Sequence, residues 1–225
     1  MSPPGPRIAM AVLRKDLLLD LRTRERLGHM AVFAALVVVL LGLTLPTSRA
    51  ARSDWIPALL WIVFLFTSLL GLSRSFQAET EEGAVAMLIQ APCDRGWVFL
   101  GKAAANLITL FGIQLWTALL FGIFLDVDWG PALPAALGVA FLGAAGLSAL
   151  GSLLSAMSMF VRFRDFLFPI LLFPLVLPLL VFASRMTATA LEGGAISGLA
   201  WSALALYDWI FGCIGYFVFD YVLED

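Results

Sequence analysis

The sequence predicts an all-α polytopic membrane protein: six transmembrane helices preceded by a helix lying along the membrane surface. Three observations predict it. The chain is 61% hydrophobic and 13% charged, where a soluble domain carries roughly 25% charged residues. Its mean hydropathy is +0.96. Its apolar residues fall into runs long enough to cross a bilayer, about 20 residues each, separated by short polar stretches. Six such runs leave no room for a separate catalytic domain, so the 225 residues form a single membrane domain. A net charge of −2 argues against nucleic acid as a partner. Cys93 and Cys213 lie too far apart in the chain to suggest a disulfide or a metal site.

Residues 7–26 are helix-forming and basic, with Met10, Leu13, Leu17 and Leu21 on one stripe. An interfacial helix among anionic headgroups fits this pattern; a solvated charged tail is the alternative. Residues 27–45 form the first span, with His29, the sole histidine, at its charged end as a polar interface residue rather than a ligand. Ser48-Arg49-Ala50 has a small-x-small pattern, but the preceding apolar run is longer than a signal peptide needs, so cleavage is not expected. The second span, 55–73, opens with an interfacial Trp55 and a first-turn Pro57.

Residues 79–91 interrupt the apolar pattern. Glu79, Glu81 and Glu82 precede Gly83, after which Val85, Leu88 and Ile89 share one helix face. Pro92 ends that helix, Asp94 can cap the next, and Arg95 and Lys102 flank the third span. This reads as a short amphipathic docking helix for a soluble partner. Gly96 to Lys102 matches the first seven positions of G-x-x-x-x-G-K-[ST], but Ala103 fills the eighth and no strand precedes it, so no phosphate loop is expected.

The third span, 103–125, carries Asn106 and Gln114, which can hydrogen-bond to neighbouring helices. The fourth, within 131–160, repeats small residues at Ala136, Ala140, Ala144, Ser148, Ser152 and Ala156, a ridge along which another helix can approach closely. The fifth, 166–184, contains Pro169, Pro174 and Pro178, and reads either as a hinge or as an irregular packing unit. Residues 185–198 read as a loop or a short re-entrant piece. The sixth span, 199–219, contains Asp208. A carboxylate within a span is a functional candidate, but Tyr207 and Trp209 beside it also allow a position near the interface. With the N-terminus inside, eleven basic residues fall on the cytoplasmic side and three outside, so residues 79–91 and both termini are expected in the cytoplasm.

The leader LRKDLLLDLRTRERL and the later stretch GLSRSFQAETEEGAVAMLIQAPCDRGWVFLGK resemble the CcmB-type haem exporter permeases. More broadly they are similar to six-span permeases of export ABC transporters, of the ABC-2 type, through an E-x-G…P…R…LGK pattern. Glu81 or Glu82, Gly83, Pro92, Arg95, Leu100, Gly101 and Lys102 match it. The resemblance implies a bacterial inner-membrane subunit that pairs with a second copy of itself and with cytoplasmic CcmA-type ATPase subunits. It also implies haem-handling CcmC- and CcmD-type membrane subunits and a CcmE-type haem chaperone, in c-type cytochrome maturation. The docking set would then be Glu79, Glu81, Glu82, Gly83, Val85, Leu88, Ile89, Pro92 and Arg95, with ATP bound by the partner. With one histidine at the charged end and no Trp-rich outer segment, the chain itself is not expected to ligate haem iron or to be an enzyme. Two other readings share the architecture: an export permease for a drug, lipid or polysaccharide, and a non-transporting scaffold of an assembly complex.

Overall fold

The computed structural model describes residues 5–46, 54–73, 94–158 and 164–222. These form seven helices and no strand: α1 Gly5–Thr23, α2 Glu25–Thr44, α3 Ile56–Leu72, α4 Arg95–Leu125, α5 Leu133–Ser158, α6 Arg164–Leu191 and α7 Gly198–Val222. Five of them, α2 and α4 to α7, are long and apolar enough to cross a membrane. The sixth apolar helix, α3, has 17 residues, about 26 Å at 1.5 Å per residue and at the short limit for a span.

Two helices run well beyond the bounds expected from sequence, α4 and α6. α4 begins at Arg95 rather than at 103, so Lys102 lies within the helix and is 2% exposed instead of flanking it at the interface. α6 begins at Arg164 and continues to Leu191 through all three prolines, so 185–191 is helix and only 192–197 links α6 to α7. α5 occupies Leu133–Ser158 of the long uncharged run.

α5 is the most buried of the long helices, and its small residues account for this. Ala140, Ala144, Ser148, Ser152 and Ala156 are buried, while Ala136 is half-buried. On the neighbouring face Gly143 lies directly against the Trp61 ring of α3, where a Cβ would overlap it. Trp61 in turn donates through Nε1 to Thr187 Oγ1 of α6 at 3.0 Å. Around α5 pack Phe64, Leu65, Leu110, Leu172 and Leu179, which with its own Leu147 belong to the central apolar core. Outward faces stay apolar. Along α2, Met30, Ala34 and Val38 are buried at four-residue spacing, whereas Val32, Leu36, Leu40 and Leu43 are exposed, as a lipid-facing span requires.

The leader α1 lies against the first turns of α4. Gly101 is the contact point: Ala9 and Val12 of α1 come so close that any side chain there would collide with the α1 backbone. The inward face of α1 runs through Ile8, Val12, Asp16 and Asp20. The apolar stripe of the leader divides: Met10 and Leu21 are exposed together with Leu18 and Leu19, while Leu13 and Leu17 are half-buried. The two carboxylates decide this rotation, because they find buried cations whereas leucines can face lipid. Arg24 joins α1 to α2 in a left-handed conformation at φ 54°, an uncommon state for a residue with a side chain. Its N–H is held by the Asp20 carbonyl at 3.0 Å.

Candidate functional site

The polar groups of the spans gather at one end of the bundle, where α1, the start of α2, the end of α3, the start of α4 and the end of α5 meet. We call this the leader end. Lys102 Nζ donates to Asp16 Oδ2 at 3.2 Å, tying α4 to α1. The other Asp16 oxygen lies 3.0 Å from the exposed Lys15 ammonium. One helical turn further along α1, Asp20 Oδ2 accepts from Arg26 Nη1 of α2 at 3.2 Å and from Thr109 Oγ1 of α4 at 3.1 Å. Arg26 Nη2 donates to Asn106 Oδ1 at 2.7 Å, and Asn106 Nδ2 donates to Ser152 Oγ of α5 at 2.7 Å.

A continuous polar path therefore runs Asp20–Arg26–Asn106–Ser152 across α1, α2, α4 and α5. Its members are largely withdrawn from solvent: Asn106 is 1% exposed and Ser152 fully buried. In a low-dielectric interior such groups hold one arrangement tightly, because each loses a partner if its helix slides. The path leaves Arg26 Nε buried without a partner, beside Met30 and the end of α3 at Gly71.

The same end of the bundle organises the flanks of the expected docking segment. α3 ends at Leu72, with Arg26 and Met30 beside Gly71. α4 starts at Asp94, whose carboxylate caps the helix by accepting from Gly96 N at 3.0 Å and accepts from Tyr216 Oη of α7 at 2.8 Å. Arg95 follows as the first helical residue and is half-buried. Trp97 stacks edge-on against Tyr216 and covers Gly5 of α1. Glu79, Glu81, Glu82, Gly83, Val85, Leu88, Ile89 and Pro92 lie outside the described residues.

The three span residues singled out from sequence have different fates. Asn106 makes both bonds just described. Gln114, expected to bond a neighbouring helix, is 1% exposed and its Oε1 has no partner. Asp208 sits near the middle of α7, ten residues from Gly198. Its two oxygens are buried without a partner and face Gly146 of α5 close to Leu179 of α6. The phosphate-loop resemblance at 96–102 is a stretch of α-helix whose lysine is paired to Asp16. Sequence reasoning missed Asp16, Asp20, Arg26, Thr109 and Ser152. The available signal was the four-residue spacing of Asp16 and Asp20 opposite a lysine and an asparagine at the same spacing, Lys102 and Asn106.

The comparisons with known proteins agree on one group. The model of the CcmB protein family matches residues 7–209. The chain is 31% identical over 153 residues to "Heme exporter protein B" of Paracoccus denitrificans, covering 68% of this chain and 69% of that one. It is 31% identical over 164 residues to "Heme exporter protein B" of Rhodobacter capsulatus, covering 72% and 73%.

Proposed function

The chain belongs to the CcmB protein family, and from that premise we propose that it is the membrane permease subunit of an ABC transporter handling haem in c-type cytochrome maturation. The cargo is taken from the names of its relatives. The observation that carries the coupling role is the polar path at the leader end, which joins α1 to α2, α4 and α5 through Asp20, Arg26, Asn106 and Ser152. α3 ends and α4 begins at that same end, on either side of residues 74–93.

In this reading ATP is bound and hydrolysed by a separate CcmA-type subunit, which grips residues 79–91 from the cytoplasm through Val85, Leu88 and Ile89. Movement of that segment pulls on the start of α4. Lys102 and Asn106, eight and twelve residues past the Asp94 cap, pass the movement to the leader through Asp16 and to α2 and α5 through Arg26 and Ser152. Asp208, held between α5 and α6 on α7, is placed to respond when those helices shift. The excess of basic residues supports a cytoplasmic leader end, in a bacterial inner membrane. A second copy of the chain, CcmC- and CcmD-type haem-handling subunits and release of a haem-loaded CcmE-type chaperone complete the scheme. Replacing Leu88 by Asp is expected to abolish co-purification of the tagged chain with the ATPase while leaving it inserted in the membrane. Undiminished association and coupled ATPase activity would refute the docking role.

A further inference from the structure

At the end of the bundle opposite the leader, a cavity of about 220 Å³ opens between α4 and α5. Its floor is buried: Trp61 of α3, Gln114 of α4 and Thr187 of α6 are each 3% exposed or less. Its mouth is formed by Leu115, Leu119, Leu133 and Leu137, which are exposed on the outer, lipid-facing surface of the two helices. A molecule dissolved in the bilayer can therefore reach it sideways without crossing water.

The polar content of this cavity is small and uneven. Thr187 Oγ1 already donates to the Ala183 carbonyl at 2.8 Å and accepts from Trp61 Nε1 at 3.0 Å. Trp129 Nε1, at the rim, is spent on the Ala118 carbonyl at 3.0 Å. Among the described residues lining it, Gln114 Oε1 remains a buried acceptor without a donor. An amide oxygen left unsatisfied in an apolar site has given up its water without replacement, so a guest that supplies one donor is favoured. A water molecule is a poor guest, since ordered buried water needs two to four polar partners. A bare alkyl chain fills the space but leaves the oxygen unpaired.

We propose that this cavity is a binding site for a small membrane-soluble amphiphile, an alcohol or phenol whose hydroxyl donates to Gln114 Oε1 and whose apolar body lies between Trp61 and the leucines of α4 and α5. The volume limits the guest, because drug-sized ligands occupy roughly 300–1,000 Å³. The cavity offers no ligand to haem iron, since none of its described lining residues is His, Cys, Met or Tyr.

The test uses the full chain in lipid nanodiscs and a medium-chain alcohol carrying a diazirine, photolysed and mapped by mass spectrometry. Adducts are expected on Trp61 and on the 114–119 stretch of α4. An unlabelled alcohol of the same length should compete them away roughly three- to tenfold better than the corresponding alkane, the ratio set by one neutral hydrogen bond. Gln114→Leu should erase that preference, and Ala136→Phe, which fills the cavity, should remove the adducts. Labelling confined to outward residues such as Ile108 and Ile123, or equal competition by alcohol and alkane on the unaltered chain, overturns the proposal. The competition arm needs no variant, so it decides the matter even if a substitution prevents insertion.

Discussion

Replacing Asp20 by leucine should release the leader helix from the bundle. In the intact chain one Asp20 oxygen holds Arg26 at 3.2 Å and Thr109 at 3.1 Å, with the aspartate side chain 12% and the arginine side chain 14% exposed. The substitution leaves the guanidinium with Asn106 as its only described acceptor. Removing one member of a buried ion pair costs about 3–5 kcal/mol, whereas a polar contact between membrane helices averages ~0.6 kcal/mol. This pair is charged and almost dry but lies at the end of the bundle, so the lower part of the first range, about 3 kcal/mol, applies. That is roughly a hundredfold in the ratio of undocked to docked leader.

Maleimide labelling of a Val12→Cys reporter, with Cys93 and Cys213 replaced, reads this ratio directly. Val12 packs half-buried against Gly101 when α1 is seated, and the part of its labelling that needs an undocked leader follows the population of the open form when opening is fast. That part is expected to rise by about two decades in Asp20→Leu, following the ratio above. Asp20→Asn, which keeps an acceptor oxygen, should fall between. A rate unchanged within about threefold, some 0.6 kcal/mol, in protein that is still inserted would refute the view that this pair seats the leader.

The other expectations concern packing and capping. Gly143→Ala places a methyl in the Trp61 ring and should lower thermal stability in detergent by the equivalent of about 1–3 kcal/mol. Gly112→Ala, which meets nothing within 4 Å, should be neutral or raise stability by up to ~1 kcal/mol through helix propensity. Equal effects of the two would contradict the close contact of α5 with α3. Asp94→Ala removes the α4 cap and the acceptor for Tyr216 and should cost about 1–2 kcal/mol, seen as earlier melting, while Tyr216→Phe should cost less. Wild-type melting of Asp94→Ala would show that the cap contributes nothing.

The helical bundle was legible in the sequence because lipid imposes a length and a polarity on every span, and the apolar runs report both. The cap at Asp94, the small ridge of α5 and the bonding role of Asn106 were legible for local reasons: side-chain type and four-residue spacing. The start of α4 was not. Lys102 reads as the charge just before an apolar run, and its pairing with Asp16, 86 residues away, lets it sit inside the helix. The rotation of α1 was hidden for the same reason. Asp16 and Asp20 read as surface charges of an interfacial helix, and only their partners on α4 and α2 turn them inward. Arg185 misled in the opposite sense, since it stands exposed on the last turns of α6 without ending the helix. Charges mark boundaries in a sequence until a distant partner neutralises them, and the partner is a property of the fold.

The central claim, that residues 79–91 face a cytoplasmic motor at the leader end, is tested most directly by a cysteine at Leu88 in a chain lacking Cys93 and Cys213. Membrane-impermeant maleimide should label it in inside-out vesicles and not in intact spheroplasts, and a bound ATPase subunit should protect it. Labelling from the outer face, or labelling that the ATPase leaves unchanged, would contradict the account.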